Sequence, residues 1–331
     1  MNSEQQNEIF RKCRPKNADV LMMNKKIKED NDPNLDYVRR SERNTWAEDF
    51  EETLRSLAPY PISYDVGSVQ NTNFSEFTYT EFPGAGVWID TQSREINCRI
   101  IDNASKIDGG ELGDYLFEKF VENITDKYQL DNEKQPIYDH VVFLPGHNLM
   151  DLVDQEIIER LLQEEDDVVI KPHPLTEYEV LRQIAMKAGW HKVLWRDISG
   201  MDLLKNCKTV YSTTASEMLI VGAVLGKSIY NISKFSAESS GVYQPFTRIL
   251  TVTQKREGKE AAIQKFKNIL ACEWTGLAFP FNDNPEERIK KYFDKALEMR
   301  EMYRPLASGR GDVDKVSNNP HPAQIPQGPK K

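Results

Sequence analysis

Two stretches decide how this chain is read: Val168-Val-Ile-Lys-Pro-His-Pro174 and Thr209-Val-Tyr-Ser-Thr-Thr-Ala-Ser-Glu217. Each begins with a short apolar, β-branched run of the kind that forms a buried strand, and each leaves it through polar residues. In the second stretch the exit leads into Met218-Leu-Ile-Val-Gly-Ala-Val-Leu225, a helix apolar on nearly every side and therefore buried. In open α/β sheets ligands bind in the crevice outside the strand ends. Two such exits imply one shared site for an anionic ligand, with phosphate the expected group.

Working outward, the same pattern repeats. His140-Val-Val-Phe-Leu144 reads as a strand leaving through Pro145-Gly-His-Asn148, and Asp151–Gln163 carries apolar residues at helical spacing. Thr176–Ala188 reads as a helix with Thr176 as N-cap and Gly189 as its stop. Lys192–Trp195 is expected to be a short strand, Ser199–Asn206 a helix, Ser216–Leu225 a helix and Ser228–Ile232 the last strand. Strands alternating with helices at this spacing imply parallel βαβ units.

The earlier part is less regular. Trp46–Leu57 and Leu112–Tyr128 read as helices, and Phe77–Phe82, Val87–Asp90 and Ile96–Ile101 as strands. The polar run Asp131-Asn-Glu-Lys-Gln-Pro136 reads as a linker. After Ile232, Ser233–Gln244 reads as loop, and Glu260–Leu270 and Pro285–Met302 as helices. Ala307–Lys331 is rich in Gly, Pro, Asn and Lys, a composition expected to stay disordered. The expected organisation is therefore residues 1–136, an acceptor-side α/β domain, and 137–283, the ligand-binding domain. A final helix over 284–306 crosses back to the first domain, and 307–331 is a tail.

With 331 residues and 39 % hydrophobic content, the chain can build two domains of ordinary size or one large one. Its net charge of −9 speaks against a general nucleic-acid coat. Basic runs at Arg11–Lys16, Lys25–Lys28 and Arg39–Arg43 are interleaved with acids and read as solvated faces. The four cysteines, Cys13, Cys98, Cys207 and Cys272, have no paired spacing, which argues against a zinc site or a disulfide framework. Neither a leader pattern nor the roughly 18 apolar residues of a membrane span is present in this sequence. A cytoplasmic location is the expectation.

The candidate residues follow from the exits. Lys171 and His173 can donate to phosphate oxygens, with the two prolines stiffening the loop. His173 can also stabilise charge on a leaving phosphate; the alternative is a rigid turn with a surface histidine. Thr213, Thr214 and Ser216 can cap the helix or bind phosphate, Ser212 belongs to the same ligand-binding loop, and Glu217 can accept from ribose hydroxyls or simply complement the helix dipole. Gly146 would permit close approach or positive φ, and His147 can face the crevice or merely form a turn. Gly222 and Gly226 fit helix packing and helix termination. Candidate general bases are Asp90, Asp108, Glu111 and Asp114, the last three in a glycine-rich segment that also reads as a plain helix start.

A βαβ domain with a Lys-Pro-His-Pro loop, then a Ser/Thr loop ending in Ser-Glu and an Ala/Gly helix, resembles the GT-B glycosyltransferases of the capsular-polysaccharide and bacterial sialyltransferase type. The resemblance covers Tyr138–Ile232. It implies two facing Rossmann-like domains with a cleft between them, and a nucleotide sugar as donor with no resident metal or cofactor. It also implies that His173 contacts the donor phosphate, that Ser212–Ser216 bind the nucleotide, and that Glu217 joins them. The sialyltransferases carry an acidic pair before a glycine as base; here Ile107-Asp108-Gly109 has one acid. The implied reaction moves a sugar to a hydroxyl acceptor. A saccharide is preferred on the acidic balance over hydroxymethylated bases in DNA, which phage GT-B enzymes modify and which would place the protein in a host cytoplasm. The competing readings are a non-catalytic nucleotide- or phosphate-binding protein and an epimerase.

Overall fold

The computed structural model describes residues 45–60, 62–64, 77–91, 93–124, 137–164, 166–173, 178–194, 198–235 and 241–308. The basic runs before residue 44, the expected linker at 131–136 and residues 309–331 lie outside these. The architecture is mixed α/β, with two four-stranded sheets, one of them parallel and flanked by helices.

The parallel sheet contains β4 (His140–Phe143), β5 (Val168–Lys171), β6 (Thr209–Ser212) and β7 (Ser228–Asn231), in the order β5-β4-β6-β7. Its strands alternate faces, as the two-residue period requires. Val141, Phe143, Val169 and Val210 enter one core with residues of α6 (Gly200–Asn206), α7 (Met218–Val224) and α8 (Gln244–Glu257). Val142, Leu144, Val168, Ile170 and Tyr211 enter a second with residues of α4 (Gln155–Glu164) and α5 (Tyr178–Ala188). Covering on both faces explains the continuous apolar runs in these strands.

The expected strand at Lys192–Trp195 is a single parallel bridge, Val193 to Ile170, preceded by a 3₁₀ turn at Trp190–Lys192. Counting it, the order is Val193-β5-β4-β6-β7, the 3-2-1-4-5 order of a Rossmann sheet. Gly189 and Gly226, at φ +85° and +69°, end the helices before them as expected. Gly222 is a packing residue: a Cβ there would fall 3.1 Å from Ile229 and 3.2 Å from Val210.

The other sheet has the order β1-β2-β3-β8: β1 (Ile62–Tyr64), β2 (Phe77–Phe82), β3 (Gly86–Thr91) and β8 (Leu277–Ala278). Only β1 and β2 are parallel; β3 is antiparallel to both β2 and β8. The glycine turn Pro83-Gly84-Ala85 makes this a hairpin, with Gly84 and Ala85 both at positive φ. This topology departs from a second Rossmann-like sheet. The expected strand Ile96–Ile101 lies inside helix α2 (Arg94–Ala104). Ser93 accepts from the Ile96 amide as N-cap, and Ile96, Ile100, Ile101 and Ala104 share the buried face.

β8 falls within 137–283 in sequence yet completes the first sheet, because it supplies the partner that the open edge of β3 lacks. α9 (Lys259–Ala271) packs beside α3 (Gly110–Glu122), with Phe120 and Phe266 edge to face at 5.1 Å. α8, read in sequence as loop and unassigned residues, carries Pro245 in its first turn and ends at Gly258. The last helix, α10 (Pro285–Ser308), returns to the first sheet and packs Tyr292 and Phe293 on Phe77. Arg288 on this helix is buried and donates to the carbonyls of Leu270, Cys272 and Leu277, joining the end of α9 to β8.

Candidate functional site

The chain passes from β4 outward to β5, then returns past β4 to reach β6, so the topological switch point lies between the ends of β4 and β6. Ser212 Oγ spans it, donating to the carbonyl of Phe143 over 2.9 Å. Three adjacent exits meet here: Leu144-Pro145-Gly146 after β4, Pro172-His173 after β5, and Thr213-Thr214 after β6. The residues read from the sequence as ligand-binding, Gly146, Lys171, His173, Ser212, Thr213 and Thr214, are thus brought to one sheet edge. The side chain of His147 lies outside the described residues.

Each exit has its own local physics. Lys171 is buried, and its ammonium donates to the carbonyl of Pro172 at 2.9 Å. This bond braces the turn from beneath. His173 is half-buried. Gly146 sits at φ −56°, ψ 159°, a backbone conformation open to any residue, so of its two expected uses positive φ is not the one found.

At the β6 exit, Thr213 and Thr214 are buried. The Thr214 amide donates to Ser233 Oγ at 3.1 Å, tying this loop to the β7 exit. The Thr213 hydroxyl makes no hydrogen bond among the described residues. A buried hydroxyl left so costs roughly 1–3 kcal/mol. Ser216 is not the N-cap of α7. Glu217 occupies that position in helical geometry and makes no side-chain capping bond, and Ser216 Oγ accepts from the Met218 amide at 3.2 Å.

The carboxylates separate clearly. Asp108 and Glu111 are exposed at the start of α3, where Asp108 accepts from the Gly110 amide at 3.1 Å. Asp114 pairs with Lys267 of α9 at 2.7 Å. Asp90, by contrast, is buried at the end of β3 and accepts from the Thr78 hydroxyl. Burial pushes its carboxyl up from 3.8 to about 6, against the opposing pull of Thr78 and the Arg94 guanidinium.

Three residues that the sequence did not single out complete the site. Arg94 donates to the carbonyls of Gly241 and Val242 at 2.6 and 3.3 Å. Gly241 lies against Thr214 so closely that a Cβ would fall 2.2 Å from its hydroxyl oxygen. Ser233 receives the Thr214 amide. All three act through contacts distant in sequence, and no local pattern announces them.

Among the described residues no His, Cys, Asp or Glu grouping could hold a metal ion, and no helix is long and apolar enough to cross a membrane. Comparison with protein-family models, with curated proteins and with solved structures returned no match.

Proposed function

We propose that this protein is a nucleotide-sugar-dependent glycosyltransferase that moves a sugar to a hydroxyl acceptor, a saccharide being the preferred class. The observation that carries the reading is the convergence of Lys171, His173 and Ser212–Thr214 on one switch point of a sheet with Rossmann strand order. In this reading the parallel sheet is the donor half of a GT-B arrangement, and the first sheet with α10 is the acceptor half.

Roles follow from the chemistry at each exit. His173 donates to the departing phosphate, where negative charge grows as the glycosidic bond breaks. Lys171 braces the loop through its bond to the Pro172 carbonyl, and the Thr213 hydroxyl offers a donor to a phosphate oxygen. Among the candidate bases, Asp90 is the one whose carboxyl burial raises. A carboxyl near 6 is ionised at neutral pH and retains more basicity than an ordinary aspartate. Asp108 and Glu111 are exposed at the start of α3. Fold alone does not decide between a transferase and a binding module on the same sheet.

The test is incubation with UDP-, CMP- and GDP-sugars without acceptor. Slow release of free sugar and nucleotide supports the transferase. Tight binding with no turnover replaces it with a binding module, and a new sugar nucleotide replaces it with an epimerase.

A further inference from the structure

The start of α2, on the first sheet, and the β6 exit, on the second, are joined by a short chain of contacts. The Arg94 guanidinium holds the Gly241 carbonyl at 2.6 Å and the Val242 carbonyl at 3.3 Å. Gly241 is buried, and its Cα lies on Thr214: a Cβ would meet the Thr214 hydroxyl, carbonyl carbon and carbonyl oxygen at 2.2, 2.3 and 2.5 Å. No side chain fits there, because two of the three atoms are backbone and cannot swing away. Thr214 in turn gives its amide to Ser233 Oγ at 3.1 Å. Two further bonds fasten the same segment to the first sheet's side. The Tyr243 hydroxyl donates to the Glu81 carbonyl at 2.7 Å, and Cys98 Sγ donates to Gln244 Oε1 at 2.9 Å.

We infer that Arg94 is a positioning residue for the strand-exit site: it clamps Gly241 onto Thr214 and so fixes the Thr213–Thr214 loop from the other half of the molecule. The inference rests on the reading of that loop as the donor site. Both bonds come from one nitrogen, Nη1, held at the end of a planar guanidinium whose orientation a more mobile lysine ammonium would reproduce only in part. Tyr243 and Gln244 keep the start of α8 docked without Arg94. Its removal therefore loosens the Gly241 contact without detaching the helix.

The experiment compares the wild-type chain with Arg94→Ala, Arg94→Lys and Gly241→Ala in two measurements. The first is hydrogen exchange of the peptide 209–217 without ligand, which reads the Thr214 amide directly. The second is titration with UDP, CMP and GDP. Arg94→Ala is expected to speed exchange in 209–217 by about tenfold while exchange in α10 stays unchanged, with Arg94→Lys between it and the wild type. Gly241→Ala is expected to do the same by pushing Thr214 outward with Arg94 intact. Any nucleotide the wild type binds is expected to bind Arg94→Ala more weakly, by a similar factor. Unchanged exchange in 209–217 for a folded Arg94→Ala overturns the inference. So does faster exchange spread evenly over the whole chain, which marks a purely structural residue. If Arg94→Ala fails to fold, Arg94→Lys decides: wild-type exchange in 209–217 overturns the inference, and faster exchange confined there supports it. A wild type that binds none of the nucleotides counts against the donor-site reading alone, since the exchange result needs no ligand.

Discussion

Ser212 and Phe143 are joined across the switch point: the serine hydroxyl, fully buried, donates to the Phe143 carbonyl at 2.9 Å. The bond fixes the spacing between the ends of β4 and β6, where the proposed phosphate would sit. In the sequence Ser212 reads as a ligand-binding hydroxyl; its bond to Phe143 is a structural role that the structure adds.

Ser212→Ala should therefore destabilise the fold by about 1–3 kcal/mol, since a buried carbonyl loses its side-chain donor. Urea unfolding measures this. A change within a few tenths of a kcal/mol would mean that the strand ends are held by the ladder alone.

Arg288 offers a test of the first sheet. Its three bonds to the carbonyls of Leu270, Cys272 and Leu277 close the end of α9 and the approach to β8. Arg288→Ala should cost about 3 kcal/mol or more, and Arg288→Lys should recover only part, because an ammonium cannot match the fixed fork of donors. Thermal unfolding of the three proteins gives the ranking, and a wild-type melting temperature for Arg288→Ala would contradict it.

The pH dependence of stability should carry the signature of Asp90. Its carboxyl is raised in the folded state, so the fold prefers the protonated form. The stability this contributes is complete below the ordinary value of 3.8 and is lost as pH rises through about 6. The loss is at most about 3 kcal/mol, and Asp90→Asn should flatten that interval. Denaturant midpoints collected from pH 4 to pH 7 measure it. An unaltered slope in Asp90→Asn would assign the dependence to other groups. If Asp90 is also the base, sugar transfer should rise tenfold per pH step below about 6 and level off above it.

The second sheet was legible in sequence because its strands are short, apolar and buried on both faces, and because each exit is marked by Pro, Gly or a hydroxyl run. The first sheet was less so. Ile96–Ile101 carries β-branched residues that read as strand, but the Ser93 cap and the burial of Ile96, Ile100 and Ala104 on one face make it a helix. β8 has two residues and owes its existence to the open edge of β3, a tertiary cause with no local trace. The same limit applies at the site. Lys171, His173 and Ser212–Thr214 stand at strand exits in the sequence itself. Arg94 and Gly241 enter only when the two halves pack, and Asp90 stands out among the carboxylates only through its burial.

The central claim is that the three strand exits form one site for the phosphates of a nucleotide sugar, with His173 acting on the departing phosphate. The most direct measurement is the acceptor-free hydrolysis rate of UDP-, CMP- and GDP-sugars by the wild type and by His173→Ala. The account predicts slow hydrolysis of at least one donor. It also predicts a loss in kcat of roughly 10² to 10³ in a folded His173→Ala, with donor KM changed far less. Wild-type hydrolysis of none of the donors, or an undiminished kcat in His173→Ala, would contradict it.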